Sequence, residues 1–151
     1  MRLSTLICAL ALVATTTATI ANAEMLDNSD LSLDPVAQTE QIETMIEIVF
    51  EPLEPKVPGV VEKMIQIADC ESYGGRDGLI MHVDYSGNLI RNHETGRARG
   101  VFQIVPNPHD KMAASLGLDV TEVSDNISYS RFLVEDRIRM GDNPFSDWVC
   151  A

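Results

Sequence analysis

The chain has 151 residues and is strongly acidic, with 23 Asp and Glu residues against 11 Lys and Arg residues and a formal net charge of −12. This charge argues against nucleic acid as a partner, because a phosphate backbone attracts basic proteins. It also argues against simple electrostatic capture by an anionic surface, which would have to be bound through a shaped groove. The length suits one small domain with an extension.

Residues 1–23 are typical of a secretory signal peptide. Arg2 precedes an apolar run over residues 6–13, and residues 21–23 form an Ala-Asn-Ala cleavage site. Threonines interrupt the apolar stretch, which falls short of the roughly 20 apolar residues that a membrane-spanning helix needs. We therefore expect export, removal of this segment and no membrane span afterwards. Retention of the segment as an anchor is the alternative.

Residues 24–57 are acidic, contain several prolines and carry one basic residue, Lys56. This composition is typical of a spacer. Apolar residues recur in it at the spacing of a helix: Ile42, Met45, Ile46 and Val49. They predict a short amphipathic helix over residues 36–50 that packs on the domain, with docking of a protein partner as the alternative.

A folded domain is predicted over residues 58–151, with an α+β fold that is predominantly α. Its first helix runs from Val60 toward Ser72, because apolar residues recur there with a period of 3.6. Glycines end this helix. Residues 79–92 then predict a small β-hairpin around a Ser-Gly-Asn turn.

Two further helices are predicted in the C-terminal half of the chain. One begins at Pro108 and ends at Gly117. The other is capped by Asp125 or Asn126, carries an apolar face and ends at Gly141. Proline at the start and glycine just past the end are common boundaries of a helix.

Two cysteines, Cys70 and Cys150, remain after removal of the predicted signal peptide. Exported proteins fold where disulfides form and persist, so we predict that these two cysteines pair. The bond would join the first helix of the domain to the chain terminus. Two free buried thiols are the alternative.

Glu71 lies at the C-terminal end of the first predicted helix of the domain. Partial burial of a carboxylic acid at such a position raises its pKa and keeps some of it protonated near neutral pH, as a general acid requires. By spacing alone, a solvated glutamate at a helix end is the more ordinary interpretation.

Four segments add to the interpretation of Glu71. They are Ile67-Ala68-Asp69-Cys70-Glu71-Ser72, Gly100-Val101-Phe102-Gln103-Ile104-Val105-Pro106, Asn126-Ile127 and Pro144-Phe145-Ser146-Asp147-Trp148-Val149-Cys150. In this order the segments resemble those of the small bacterial lysozyme-like lytic transglycosylases, over about residues 58–150. In that family a Glu-Ser pair ends one helix, a Gly-x-x-Gln-Ile segment lines the groove and an Asn-led helix closes the domain. The resemblance implies a lysozyme-like fold, peptidoglycan strands as the partner, and the bacterial periplasm or cell exterior as the location.

The resemblance also implies a reaction that needs no cofactor. Glu71 would protonate the glycosidic oxygen between N-acetylmuramic acid (MurNAc) and N-acetylglucosamine (GlcNAc), then act as base toward the MurNAc 6-hydroxyl, forming a 1,6-anhydro end. Ser72, Gln103 and Tyr129 would bind substrate; their alternative roles are a helix cap, a turn residue and a core aromatic. Tyr129 departs from the larger members of the family, whose tyrosine stands where this chain has Leu133 and Val134.

Two other functions stay open. A hydrolytic muramidase would need a second carboxylate about 5 to 10 Å from Glu71, for which Asp77 and Asp84 are candidates. A non-catalytic protein that binds or assembles the cell wall is the other alternative. Arg91 forms a basic cluster with the arginines at 97 and 99 that could meet the carboxylates of muramyl peptides, or could be a solvated face.

No metal site is predicted. Residues 84–95 imitate the start of a calcium loop but lack its glycine and its final glutamate. His82, His93 and His109 lack the spacing of zinc ligands, and the last two are expected at the surface or the groove rim. The lone tryptophan, Trp148, is expected to pack against the disulfide and the base of the first helix.

Overall fold

The structure, a computed structural model, describes residues 26–73, 78–92 and 96–150, so the predicted signal peptide lies outside the described residues. Those ranges contain four helices: α1 (Pro35–Phe50), α2 (Val60–Tyr73), α3 (Pro106–Ser115) and α4 (Val123–Met140). In place of named strands, they contain three isolated antiparallel bridges. The predominantly α class is therefore confirmed. None of the helices described is long and apolar enough to cross a membrane.

Helix α1 contributes one face to the core of the domain. The Asp34 carboxylate caps it by accepting hydrogen bonds from the N–H groups of Val36 (3.1 Å) and Ala37 (3.0 Å). The helix packs against α2 and α4. Its apolar buried residues are Ile42, Met45, Ile46, Val49 and Phe50. The segment predicted as a spacer therefore shares its apolar residues with the core of the rest of the domain.

Side chains of α1 also hold the segment that follows α2. The buried amide oxygen of Gln38 accepts the N–H groups of His82 (2.6 Å) and Val83 (3.1 Å). The Thr39 hydroxyl accepts the N–H of Ile80 at 3.0 Å. Side chains of α1 thus accept the backbone N–H groups that a neighbouring strand would accept in a sheet.

The β-hairpin predicted over residues 79–92 is reduced to a turn and one antiparallel bridge, between Val83 and Leu89. The N–H of Asp84 bonds the carbonyl of Asn88 at 2.8 Å, which closes the turn. The predicted strands do not extend beyond this bridge, because the preceding backbone N–H groups bind helix side chains instead of a facing strand.

Helix α4 begins earlier than predicted. Its cap residue is Glu122, so the prediction that Asp125 or Asn126 caps the helix is wrong. Asp125 lies in the first turn, where its carboxylate accepts the N–H of Asp119 at 2.8 Å. The C-terminal end is as predicted, with Gly141 at a φ of 77°, a left-handed conformation that favours glycine.

The predicted disulfide between Cys70 and Cys150 is confirmed. It joins α2 to the end of the chain across 80 residues. Just before it, the indole N–H of Trp148 donates to the carbonyl of Phe102 at 3.2 Å, and the two ring centroids are 5.9 Å apart. The C-terminal segment is therefore part of the core.

Candidate active site

Glu71 lies in the last turn of α2, directly after the disulfide-bonded Cys70, and its side chain is half-buried. Burial raises the pKa of the Glu71 carboxyl above its ordinary value. Hydrogen bonds from the backbone N–H groups of Cys150 and Val149 offset part of that rise, because they stabilise the ionised form. A carboxyl group in this balance is suited to both donate and accept a proton.

Ser72 follows Glu71 but lies inside the protein, with 3% of its surface exposed. Its hydroxyl accepts the backbone N–H of Met81 at 3.2 Å. It therefore ties the end of α2 to the segment that leads into the bridge. The predicted contact of Ser72 with substrate stays a prediction, and the described role is positional.

Gln103 closes a tight turn that begins at Gly100. Its side-chain amide donates to the carbonyl of Gly100 at 2.7 Å, and its backbone N–H bonds the same carbonyl at 3.2 Å. The φ of Gln103 is 47°, in the left-handed region that non-glycine residues rarely occupy. The hydrogen bond from the Gln103 side-chain amide to the Gly100 carbonyl stabilises this conformation, so Gln103 shapes the turn. Contact of Gln103 with a sugar stays a prediction.

A buried polar cluster, made of His82, Gly100 and Asn126, lies against this turn. The Nε2 atom of His82 is 2.9 Å from the carbonyl of Thr121, and its Nδ1 accepts the N–H of Val101 at 3.3 Å. These partners assign the proton to Nε2. Burial lowers the pKa of His82 to about 4, so the imidazole is neutral at physiological pH.

Asn126 bonds three backbone groups on two segments from within the same cluster. Its side-chain oxygen accepts the N–H of Phe102 at 3.1 Å. Its amide N–H groups donate to the carbonyls of Val120 (2.9 Å) and Arg99 (3.2 Å). Asn126, which the resemblance places at the start of a helix, thus holds the backbone of the turn through its fully buried side chain.

Gly100 allows the cluster to close. A Cβ atom at this position would lie 2.5 Å from the His82 ring and 2.8 Å from the Asn126 amide, and the φ of Gly100 is 70°. Sequence analysis missed this role of His82. The signal for it was the apolar run around the histidine, since Met81 and Val83 are also buried.

Tyr129 lies on α4 and is 1% exposed. Its hydroxyl is 2.9 Å from Nδ1 of His109, and its ring stacks on Phe132 with centroids 5.7 Å apart. Burial, followed by the nearby carboxylates of α3, α4 and the C-terminal segment, raises the pKa of Tyr129 to about 12. The tyrosine is a core aromatic with a bonded hydroxyl, and its predicted contact with substrate stays a prediction.

Of the two candidates for a second carboxylate, the structure describes Asp84 and leaves out Asp77. Asp77 lies outside the described residues, as does His93. Asp84 is partly exposed in its turn, where its carboxylate accepts the N–H groups of Ser86 (2.8 Å) and Asn88 (2.9 Å). These bonds lower the pKa of Asp84 and account for its place in the turn.

In the described part of the chain, no group of His, Cys, Asp and Glu residues is arranged to hold a metal.

The predicted basic cluster is partly neutralised within the domain. Arg91 and Arg99 pair across an antiparallel bridge. Nη1 of Arg99 also lies 3.6 Å from Oδ2 of Asp110 on α3. Arg91 and Arg97 are exposed at the surface.

Two surface cavities are described, and both lie away from the residues predicted to act. One, of about 370 Å³, is lined by Leu53, Lys56, Phe132, Glu135, Asp136, Ile138 and Arg139. The other, of about 340 Å³, is lined by Arg99, Asp110, Ala113, Ala114, Leu118, Asp119 and Val120. Neither includes Glu71, Ser72, Gln103 or Tyr129 in its lining.

Comparisons of the chain with protein-family models, with curated proteins and with solved structures found no match. The candidate site is therefore defined by its own residues. These define a mainly helical, disulfide-bonded domain in which a half-buried glutamate lies between the end of α2 and the C-terminal segment.

Proposed function

We propose that this protein is a peptidoglycan lytic transglycosylase of the bacterial periplasm or cell exterior, with a lysozyme-like domain and Glu71 as its catalytic acid and base. The observation that carries the proposal is the environment of Glu71, a half-buried carboxyl in the last turn of α2 whose pKa is raised by burial. The resemblance of the four segments to the lytic transglycosylases supplies the substrate. The disulfide suits an oxidising compartment.

The reaction needs one carboxyl group that changes role. Protonated Glu71 gives its proton to the glycosidic oxygen while the bond from that oxygen to C1 of MurNAc breaks. The resulting Glu71 carboxylate accepts the proton of the MurNAc 6-hydroxyl. At the same time the oxygen of that hydroxyl bonds to C1. The products are a free GlcNAc hydroxyl and a 1,6-anhydro-MurNAc end, no water is consumed, and Glu71 returns to its protonated form.

Three features support the assignment of the remaining residues to shaping the site. Ser72 holds the end of α2 against the neighbouring segment. Gln103 closes the turn at Gly100, and Asn126 fixes that turn from behind. A rigid arrangement of this kind positions a sugar relative to the acid without a large reorganisation on binding.

The test compares the mature protein with its Glu71→Gln variant on purified peptidoglycan sacculi in heavy-oxygen water, followed by mass analysis of the soluble muropeptides. We expect anhydro products without heavy oxygen from the wild type, and a rate lower by about 100-fold or more in the variant, because the proton transfer is lost. Glu62→Gln, an exposed change on the same helix, is the matched control and should leave the rate unchanged.

The other outcomes are distinct. Products that carry heavy oxygen at a reducing end would replace the proposal with a hydrolytic muramidase. Products that form equally with the Glu71→Gln variant would remove Glu71 from the reaction. No products from any form, together with retention of the protein on sacculi, would indicate a cell-wall-binding protein.

A further inference from the structure

The cavity of about 340 Å³ combines charged and apolar lining residues. It is formed by α3, by Arg99 and by residues 118–120, which precede α4. Its volume lies at the low end of the range of about 300 to 1,000 Å³ that is typical of small-molecule sites. The cavity can therefore hold one small ligand, and its lining favours a ligand with both polar and apolar faces.

The polar part of this cavity is the ion pair of Arg99 and Asp110. Nη1 of Arg99 and Oδ2 of Asp110 are 3.6 Å apart, which is longer than a hydrogen bond. Nε of Arg99 and Oδ1 of Asp110 are two of the three buried side-chain atoms in the described residues that have no hydrogen-bond partner. Such atoms cost stability. The pair therefore contributes little to the fold, and its partly exposed side chains (24% and 43%) are available to a polar ligand.

The two charged residues are held by different elements of the fold. Arg99 exchanges backbone hydrogen bonds of 3.1 and 3.0 Å with Ile104, and its carbonyl accepts the Asn126 amide at 3.2 Å. Asp110 lies on α3. A hydroxyl group can bridge the gap between them, because an oxygen about 2.8 Å from both Nη1 and Oδ2 accepts from the guanidinium and donates to the carboxylate. One hydroxyl would thus replace a long ion pair by two hydrogen bonds.

The apolar part of the cavity is lined by Ala113, Ala114, Leu118 and Val120. Ala113 and Val120 belong to the core of the domain, so this wall is rigid. The methyl groups of the two alanines leave room beside α3 for a flat ring. A pyranose sugar has a face of C–H groups and a rim of hydroxyls, which matches a wall of this kind beside an arginine and a carboxylate.

The charge of the lining selects among sugars. The carboxylates of Asp110 and Asp119 outnumber the single guanidinium of Arg99, so an anionic ligand meets net repulsion. GlcNAc is uncharged, whereas MurNAc carries a carboxylate. We propose that this cavity is a second saccharide-binding site, apart from Glu71, that takes one GlcNAc residue of a glycan strand. The inference rests on the proposed function for the identity of the strand.

The experiment follows the alanine methyl signals of the mature protein by NMR during titration with free GlcNAc and, separately, with free MurNAc. Ala114→Leu, which fills the cavity from α3, is compared with Ser115→Leu. Ser115 is the next residue of the same helix, is exposed and lies outside the lining. Asp110→Asn keeps an oxygen acceptor at the ion pair and removes its negative charge. The Ala113 methyl group reports on the cavity in every form.

We expect GlcNAc to shift the Ala113 signal and to bind about 10-fold more weakly to Ala114→Leu, with Ser115→Leu like the wild type. MurNAc should bind more weakly than GlcNAc, and Asp110→Asn should narrow that difference because it removes the repulsion.

An Ala113 signal that stays in place in a large excess of GlcNAc would overturn the proposal. Equal affinities of the two leucine variants, or tighter binding of MurNAc than of GlcNAc to the wild type, would overturn it as well. If GlcNAc binds in the cavity but no form cleaves sacculi, the proposed function fails while the saccharide site stands. Cleavage of sacculi that depends on Glu71, without binding in the cavity, would give the reverse result.

Discussion

The polar cluster of His82, Gly100 and Asn126 and the carboxyl of Glu71 are stabilised in different ways. Both contain polar groups that are at least partly shielded from water. In the cluster each described bond joins a neutral side chain to a backbone group, and the histidine stays neutral. Glu71 is only half-buried, and its ionised form is stabilised less than water would stabilise it.

The difference separates a structural role from a chemical one. A buried network with satisfied partners fixes the backbone around it and contributes to stability. A partly buried acid with a raised pKa costs stability, and such costs are typical of functional sites. Changes in the cluster should therefore destabilise the fold, whereas neutralising Glu71 should not.

The largest effect is expected from Gly100→Ala. The new Cβ would meet the His82 ring at 2.5 Å in a left-handed backbone conformation, so we expect the free energy of unfolding to fall by about 4 kcal/mol. Gly117→Ala is the matched control, because Gly117 has a φ of 77° and open space around it. It should cost about 1 kcal/mol. Equal losses in urea unfolding would contradict the close approach at Gly100.

The next effect is a loss of stability in acid that comes from His82. Its pKa is about 4 in the folded protein against 6.5 for the free side chain. Between these values the unfolded chain binds a proton that the folded protein does not, so the free energy of unfolding falls as the pH is lowered. The loss should reach about 3 kcal/mol near pH 4.

This pH dependence is best measured by urea unfolding in the Glu71→Gln background, because Glu71 contributes with the opposite sign. NMR of the imidazole nitrogens gives an independent check. Protonation of His82 near its ordinary pKa in the folded protein would contradict the burial of the cluster.

A smaller effect is expected from Gln38→Leu, which tests how α1 supports the cluster. The substitution fills similar volume but leaves the N–H groups of His82 and Val83 without their partner. We expect a loss of about 2 kcal/mol in the free energy of unfolding. Gln66→Leu, an exposed change on α2, should stay within about 0.5 kcal/mol. A neutral Gln38→Leu would mean that α1 contributes little beyond its apolar face.

The smallest effect, with the opposite sign, is expected from Glu71→Gln. Because the folded-state pKa of Glu71 is raised, its contribution is most favourable at acidic pH and is lost as the pH rises through the folded value. The variant should therefore gain stability relative to the wild type on going from acidic to alkaline pH. Urea unfolding of both proteins at the two extremes measures this, and a difference independent of pH would contradict it.

The N-terminal part of the chain shows what a local sequence pattern can and cannot predict about packing. Acidic residues and prolines predict a spacer over residues 24–57, yet the same segment contains the apolar stripe of Ile42, Ile46 and Val49, which is buried. The stripe predicts a helix, but it does not say against which surface the helix packs. That surface is formed by α2 and α4, which come from later parts of the chain.

The sequence by itself determined the helical class, the disulfide and the position of Glu71 at a helix end. These follow from local periodicity and from the presence of two cysteines in a chain with a predicted export signal. Only the tertiary structure decided the surroundings of Glu71 and the burial of His82. Glu71 lies next to a disulfide that joins α2 to a segment 80 residues later in the chain, and the partners of His82 come from the turn at Gly100 and from Thr121. Local sequence patterns carry no information about contacts over such separations, because these depend on how the helices pack.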